Sequence, residues 1–112
     1  MLFRSEDNIQ LCNATTASQY FHLLRRQVHS ERQTPLVIFT PKQGLRMRQT
    51  RSHIDELTSG SFKEVIDDPY VTDRNAVQRI VFCSGKVAWD ALAERDQRES
   101  PVAVVQIGRA HV

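Results

Sequence analysis

Pro35-Leu36-Val37-Ile38-Phe39-Thr40-Pro41-Lys42 is the stretch whose reading decides the fold. Leu36 to Phe39 is a continuous apolar run between two prolines, too short for a buried helix and rich in β-branched and aromatic residues. It predicts a strand covered on both faces, inside a larger α/β sheet. Pro41 ends ladder pairing, and Lys42 falls just beyond the carboxyl end of the strand, where open α/β sheets bind ligands. Taken alone, Lys42 reads as a solvated side chain after a turn.

Upstream, Ile9-Gln10-Leu11-Cys12 has strand character and Asn13-Ala14-Thr15 reads as a turn. A helix should follow, because Thr16 and Gln19 have capping-box spacing: the hydroxyl accepts an orphan N–H while the amide reaches back. Ala17, Tyr20, Phe21, Leu24 and Val28 recur at helical spacing and predict one buried stripe, with His22, Arg25, Arg26 and His29 largely outside it. The helix should end near Ser30. Strand, helix and strand within about 35 residues form a right-handed βαβ crossover with a parallel pair.

Downstream, from Gln43 to Asn75, periodicity fades and Gly44, Gly60 and Pro69 mark irregular chain. So long a connection suggests a linker between two domains, with a helical turn at Ile54 to Leu57 and a strand at Phe62 to Ile66. Its charge is polarised. Arg25, Arg26, Arg32, Lys42, Arg46, Arg48 and Arg51 face only Glu31 in sequence, whereas Asp55, Glu56, Glu64, Asp67, Asp68 and Asp73 face only Lys63. Two solvated faces explain this, as does an anion site or subunit contact in the basic half. A second βαβ then begins, with Val77 to Cys83 as strand and Ser84-Gly85 as turn. Lys86 to Arg95 follows as a helix with Val87, Ala88, Ala91 and Leu92 on its apolar side, and Pro101 to Val105 as strand.

With 112 residues, 40% hydrophobic and 25% charged, the composition is that of an ordinary small globular chain, not of disorder or collagen. No apolar run approaches the roughly 20 residues of a membrane span, and the start lacks a signal-peptide core, so a cytoplasmic location is the expectation. Cys12 and Cys83 lie in apolar runs without metal-ligand spacing and read as small buried hydrophobes.

Ser84-Gly85-Lys86 between a strand and a helix superficially resembles a phosphate loop. The upstream glycine is missing and Val87 stands where a Mg-binding hydroxyl belongs, which leaves only a weaker anion contact at the helix start. His22 and His29 are too far apart for an i, i+4 metal pair. Asp67-Asp68 beside Pro69 reads as a turn, and Trp89, standing alone, as a packing or interface residue. No Ser/His/Asp or Cys/His set can be assembled.

The ends have a separate reading. Leu2-Phe3-Arg4-Ser5 is what CTC TTC CGA TCT encodes, and Ile107 to Val112 what ATC GGA AGA GCA CAC GTC encodes; both resemble the ends of a common sequencing adapter. This predicts a natural segment from about Glu6 to Val105, with residues 1–5 and 106–112 adapter-derived. Setting aside Arg4 and Arg109, the chain's 15 basic residues fall to match its 13 acidic ones. A neutral segment with few aromatics near its Arg cluster disfavours nucleic-acid binding.

The combination of Asn13-Ala14-Thr15-Thr16, Gln19 to Gln27, Pro35 to Lys42, Ser59-Gly60-Ser61-Phe62 and Cys83-Ser84-Gly85-Lys86-Val87 resembles a known family. It is the thiamine-diphosphate-dependent first component of the 2-oxoglutarate dehydrogenase complex, within the transketolase-like superfamily. The likeness runs in order over Glu6 to Val105, near the carboxyl end of that long chain. It departs at Ala17, where the family has Pro, and at Gln43 to Met47, where the family has a Ser-Leu-Leu-Arg-His run. The resemblance implies that residues 6–42 end a pyrimidine-binding domain, 43–76 link, and 77–105 open a carboxyl-terminal domain. It also implies decarboxylation of 2-oxoglutarate in the tricarboxylic acid cycle, with transfer of succinyl to lipoyl-lysine on the dihydrolipoyl succinyltransferase component.

In the family, the diphosphate of thiamine diphosphate and Mg are held by a Gly-Asp-Gly motif, a Glu activates the pyrimidine, and catalytic histidines lie upstream, none of these parts being in this segment. The implied role of these residues is therefore scaffold and contact within a homodimer of the parent chain, with no catalytic residue here. Some members bind acetyl-coenzyme A as an activator in this region, and Arg25, Arg26, Lys42, Arg46 and Lys86 are the candidates for such an anion patch. The other reading is a free-standing α/β anion- or nucleotide-binding module. Made alone, the chain is expected neither to catalyse nor to form a stable monomer.

Overall fold

A computed structural model describes residues 8–31 and 33–110. Residues 1–5 and Arg32, which figure in the expectations above, lie outside the described residues. Two three-stranded sheets carry the fold. In the first, β1 (Gln10–Asn13) pairs in parallel with β2 (Leu36–Phe39) through α1 (Ala17–His29), and β6 (Arg109–Ala110) pairs antiparallel on the other side of β1. In the second, β4 (Arg79–Cys83) pairs in parallel with β5 (Val102–Ile107) through α3 (Lys86–Arg98), and β3 (Val65–Ile66) adds antiparallel. The α/β class with parallel βαβ pairs is therefore as the sequence indicates.

The connecting segment is built into both units. α2 (Ile54–Thr58) forms where the helical turn was expected, with His53 as its cap and the Glu56 carboxylate accepting from the His53 N–H. The expected strand is shorter than Phe62 to Ile66, because its partner β5 meets only Val65 and Ile66. Phe62 turns inward instead and joins Cys12 and Leu23 in the first core, against which Leu36 and Ile38 pack. Beyond the expected strand end at Val105, β5 runs on through Gln106 and Ile107, and Gly108 donates to Glu64 O and accepts from Asn13 N.

Three expectations are corrected. The buried face of α1 is Gln19, His22 and Leu23, while Tyr20, Phe21, Leu24 and Val28 are exposed, Val28 at 74%. Helical spacing fixes the period but not which stripe faces inward. Here two polar side chains win the inward face because each finds backbone partners: the Gln19 amide donates to Lys63 O at 2.8 Å and accepts from Lys63 N at 3.1 Å, and His22 Nε2 lies 2.7 Å from Glu56 O. Second, the capping box at Thr16 is half formed. Its hydroxyl accepts from Gln19 N, but the Gln19 side chain is taken up by Lys63. Third, β2 is covered on one face only: it is an edge strand, with Val37 and Phe39 exposed at 41% and 53%.

On the second sheet, Ala88 and Leu92 of α3 are buried as expected, whereas Val87 is exposed. Asp68 stops the sheet from extending past the short β3. Its carboxylate accepts from Val104 N at 2.7 Å, a donor that a longer β3 would have taken, as well as from Tyr70 N and Arg95 Nη1.

Gln19 acts as a piece of strand, satisfying both polar groups of one peptide position. Gln19→Leu should cost roughly 2 kcal/mol, two buried hydrogen bonds at about 1 each, and should raise amide exchange at Lys63 ahead of the rest of the chain. Equal protection of Lys63 in both proteins would remove this role.

Candidate functional site

The carboxyl ends of β1, β2 and β4 converge, and a cleft of about 350 Å³ lies where they meet. One wall is the start of α1, from Ala14 to Ala17 with Tyr20 one turn on. A second is the chain after β2: Thr40, Pro41, Gly44, Leu45, Met47, Thr50 and Arg51. The third is the start of α3, with Gly85, Lys86 and Trp89. This is the position that open α/β sheets reserve for ligands.

Each wall is held by short-range chemistry. The Thr50 hydroxyl lies 2.6 Å from Gly44 O and 2.9 Å from Met47 O, closing the loop of residues 44–50 on itself. Ser52 Oγ accepts from Ser18 N at 2.9 Å, which ties that loop to the first turn of α1. With the Thr16 hydroxyl on Gln19 N, the start of α1 has two side-chain partners. The start of α3 has none: its cap is Gly85, which offers no side chain. Helix N–H groups without a partner attract anions.

Gly85 is required where it stands. Its backbone sits at φ 61°, ψ −140°, and a Cβ there would lie 2.7 Å from Asn13 Nδ2. This close approach brings the end of β1 against the start of α3 and so joins the two βαβ units. Around the seam, Asn13 Oδ1, Thr15 Oγ1 and Gln106 Oε1 are buried without a hydrogen-bond partner. Thr15 lines the cleft itself.

The five basic residues singled out from sequence are placed differently. Lys86 lines the cleft, its Nζ 3.0 Å from Asp90 on the next turn of α3. Lys42 and Arg46 are exposed on the turn whose Gly44, Leu45 and Met47 form the second wall. Arg25 and Arg26 point elsewhere: Arg25 Nη2 donates to Gly60 O at 3.3 Å, and Arg26 pairs with Glu64 at 3.1 Å while stacking over the Phe62 ring. Arg51, from the basic run but outside the five, is a cleft residue, as is Trp89.

Sequence reading missed two groups. Asp68 does stand at the turn that the sequence indicates, accepting from Tyr70 N, but its side chain is also 1% exposed and paired with Arg95. Nothing in the local sequence signals this, since Arg95 lies 27 positions away. His22 was placed outside the helix stripe and is buried.

Chemically, the cleft offers apolar and aromatic surface with cations at its rim, and no carboxylate among its lining residues. Among the described residues no cluster of His, Cys, Asp and Glu has metal-binding geometry. Cys83 sits just before the Ser84-Gly85 turn, and burial pushes its thiol up, away from the thiolate that a nucleophile needs. The arrangement is suited to holding a ligand.

Residues 51–111 match the family model described as 2-oxoglutarate dehydrogenase C-terminal. The chain belongs to this family. Residues 1–48 match a second model, the transketolase pyrimidine-binding domain. Among curated relatives, the 2-oxoglutarate dehydrogenase E1 components of Cupriavidus necator and Azotobacter vinelandii are 40% and 41% identical over 104 residues, 92% of this chain. A rat protein named 2-oxoglutarate dehydrogenase-like, mitochondrial, is 40% identical over 100 residues, 85% of the chain. The chain spans about 11% of the length of the two bacterial relatives and 10% of the rat one. The two models meet near residue 50, just before α2, so the family boundary falls in the segment that α2 and Phe62 tie back to the first unit. No helix of the described residues is long and apolar enough to cross a membrane.

Proposed function

We propose that this chain is a segment of a longer, thiamine-diphosphate-dependent 2-oxoglutarate dehydrogenase first component: the end of its pyrimidine-binding domain, a linker and the opening of its carboxyl-terminal domain. The parent would decarboxylate 2-oxoglutarate in the cytoplasm and pass succinyl to the lipoyl-lysine of the dihydrolipoyl succinyltransferase component, working as a homodimer. The observation that carries this reading is the pair of family matches in chain order, each covering one βαβ unit. The natural segment is taken as Glu6 to Val105, with adapter-derived ends.

The lining residues of the cleft include no carboxylate that would hold Mg, and no residue of this segment is assigned to the thiamine cofactor. This segment's part is scaffold, with exposed apolar positions such as Val37, Phe39, Ile80 and Phe82 available to the rest of the parent. In sedimentation the chain alone should self-associate through these strands and show no 2-oxoglutarate-dependent turnover. A monodisperse monomer would favour the free-standing anion- or nucleotide-binding module. Extending the source gene decides between the two: the reading frame should continue on both sides, with a Gly-Asp-Gly motif upstream, and stop codons flanking the segment would overturn the proposal.

The cleft is the proposed effector site for an anionic activator such as acetyl-coenzyme A, with Lys86 and Arg51 at its wall and Lys42 and Arg46 beside it. In the parent enzyme, Lys86→Glu should weaken activation roughly tenfold or more, the worth of a charged hydrogen bond to phosphate, with basal turnover retained. Arg26→Glu tests the wider patch. A smaller effect than at Lys86 is expected, because Arg26, paired with Glu64, does not line the cleft whereas Lys86 does. Unchanged activation in both variants would remove the site.

A further inference from the structure

A second groove, of about 310 Å³, lies on the sheet formed by β4 and β5 and shares no lining residue with the cleft. Its floor is apolar. Ile80 of β4 stands opposite Ala103 of β5 in the parallel register, and Val105, two residues on, shares their face of the sheet. Val71 and Val77, from the loop that leads into β4, form a wall. Four charged side chains also line the groove, Asp67, Asp68, Arg74 and Arg79. Three of them are engaged: Asp67 lies 2.6 Å from Arg74, and Asp68 is held by Arg95 of α3. Among the described residues, the Arg79 side chain has no hydrogen-bond or ion-pair partner. The groove therefore presents one uncompensated guanidinium beside apolar surface, with both of its own carboxylates spent.

The geometry points to a binding site for an amphipathic monocarboxylate, with the carboxylate on Arg79 and the hydrocarbon chain along Ile80, Ala103 and Val105. A guanidinium matches a carboxylate through two parallel hydrogen bonds, and a groove of this volume is of the size that small ligands fill. A dicarboxylate is disfavoured, because its second charge would fall on the apolar floor or beside Asp67 and Asp68 with no cation left to meet it.

Equilibrium dialysis of the full-length gene product against labelled hexanoate, with acetate and glutarate as competitors, tests the site. Hexanoate should bind at least about tenfold tighter than acetate, since each buried methylene is worth roughly fourfold, and tighter than glutarate. Arg79→Gln and Ile80→Asp, both at exposed positions, should keep the thermal midpoint near that of the unsubstituted protein. Each should weaken hexanoate about tenfold or more, while Lys86→Gln in the first cleft should leave it unchanged. No saturable hexanoate binding, equal binding in the unsubstituted protein and both variants, or acetate or glutarate competing as well as hexanoate itself would overturn the site.

Discussion

Asp68→Ala should lower stability by about 3–5 kcal/mol, the range found when one member of a buried ion pair is removed. Its carboxylate holds three elements at once: the Arg95 guanidinium on α3, the Val104 N–H in the middle of β5, and the Tyr70 N–H in its own loop. Both charged side chains are withdrawn from water, Arg95 at 10% exposure and Asp68 at 1%. Removing the acid leaves a buried cation with the exposed Asp96 and the Tyr70 ring as its neighbours, and a strand N–H with nothing to accept it. Asp68→Asn keeps an acceptor for Val104 but not the charge, and should fall between the parent and the alanine variant. Thermal or guanidinium midpoints at matched protein concentration measure both. A shift no larger than that of a surface Asp67→Ala control would show that the pair is not what fixes α3 to the sheet.

Gly85→Ala should cost roughly 2–3 kcal/mol, since φ 61°, ψ −140° is a conformation that residues with a Cβ adopt only under strain of about 1–3 kcal/mol. The new methyl also meets the Asn13 side chain at 2.7 Å. The two contributions can be separated. In an Asn13→Ala background the collision disappears and the backbone strain remains, so Gly85→Ala should cost less there than in the parent chain. Equal costs in both backgrounds would mean that Asn13 moves aside freely and that backbone strain alone acts. Because Gly85 also starts α3, the variant should dull any effector response by displacing Lys86 and Trp89 from the cleft wall.

The strands and helices were legible in the sequence because each rests on local information. Pro35 and Pro41 bracket β2, Thr16 marks the start of α1, and the Ser84-Gly85 turn separates β4 from α3. The place of the cleft was legible too, from the rule that ligands bind at the carboxyl ends of strands. Which residues line it was legible only in part: Lys86 stands at the wall, Arg25 and Arg26 do not. Arg25 and Arg26 are close in sequence to other cations, but their partners Gly60, Phe62 and Glu64 come from a segment with no periodic signal. The same segment explains the error over α1: an exposed-looking Gln19 becomes a core residue only when Lys63 is laid beside it. Family resemblance reached further than spacing for identity, because it draws on the order of several motifs at once. It gave no information on burial.

The dependence of α1 on Lys63 and Phe62 sets an order on folding. Gln19 and Lys63 are 44 positions apart. On a ribosome releasing the chain from its amino end, the first βαβ unit would emerge with Leu23 open and two polar side chains still seeking partners. It can close only after the loop beyond α2 has cleared the exit. Closures across so long a stretch are slow compared with helix formation. Nascent α1 should therefore spend its early life as a solvent-exposed amphipathic helix, a natural binding target for chaperones, and its burial should report the arrival of residues 62 and 63, not its own formation.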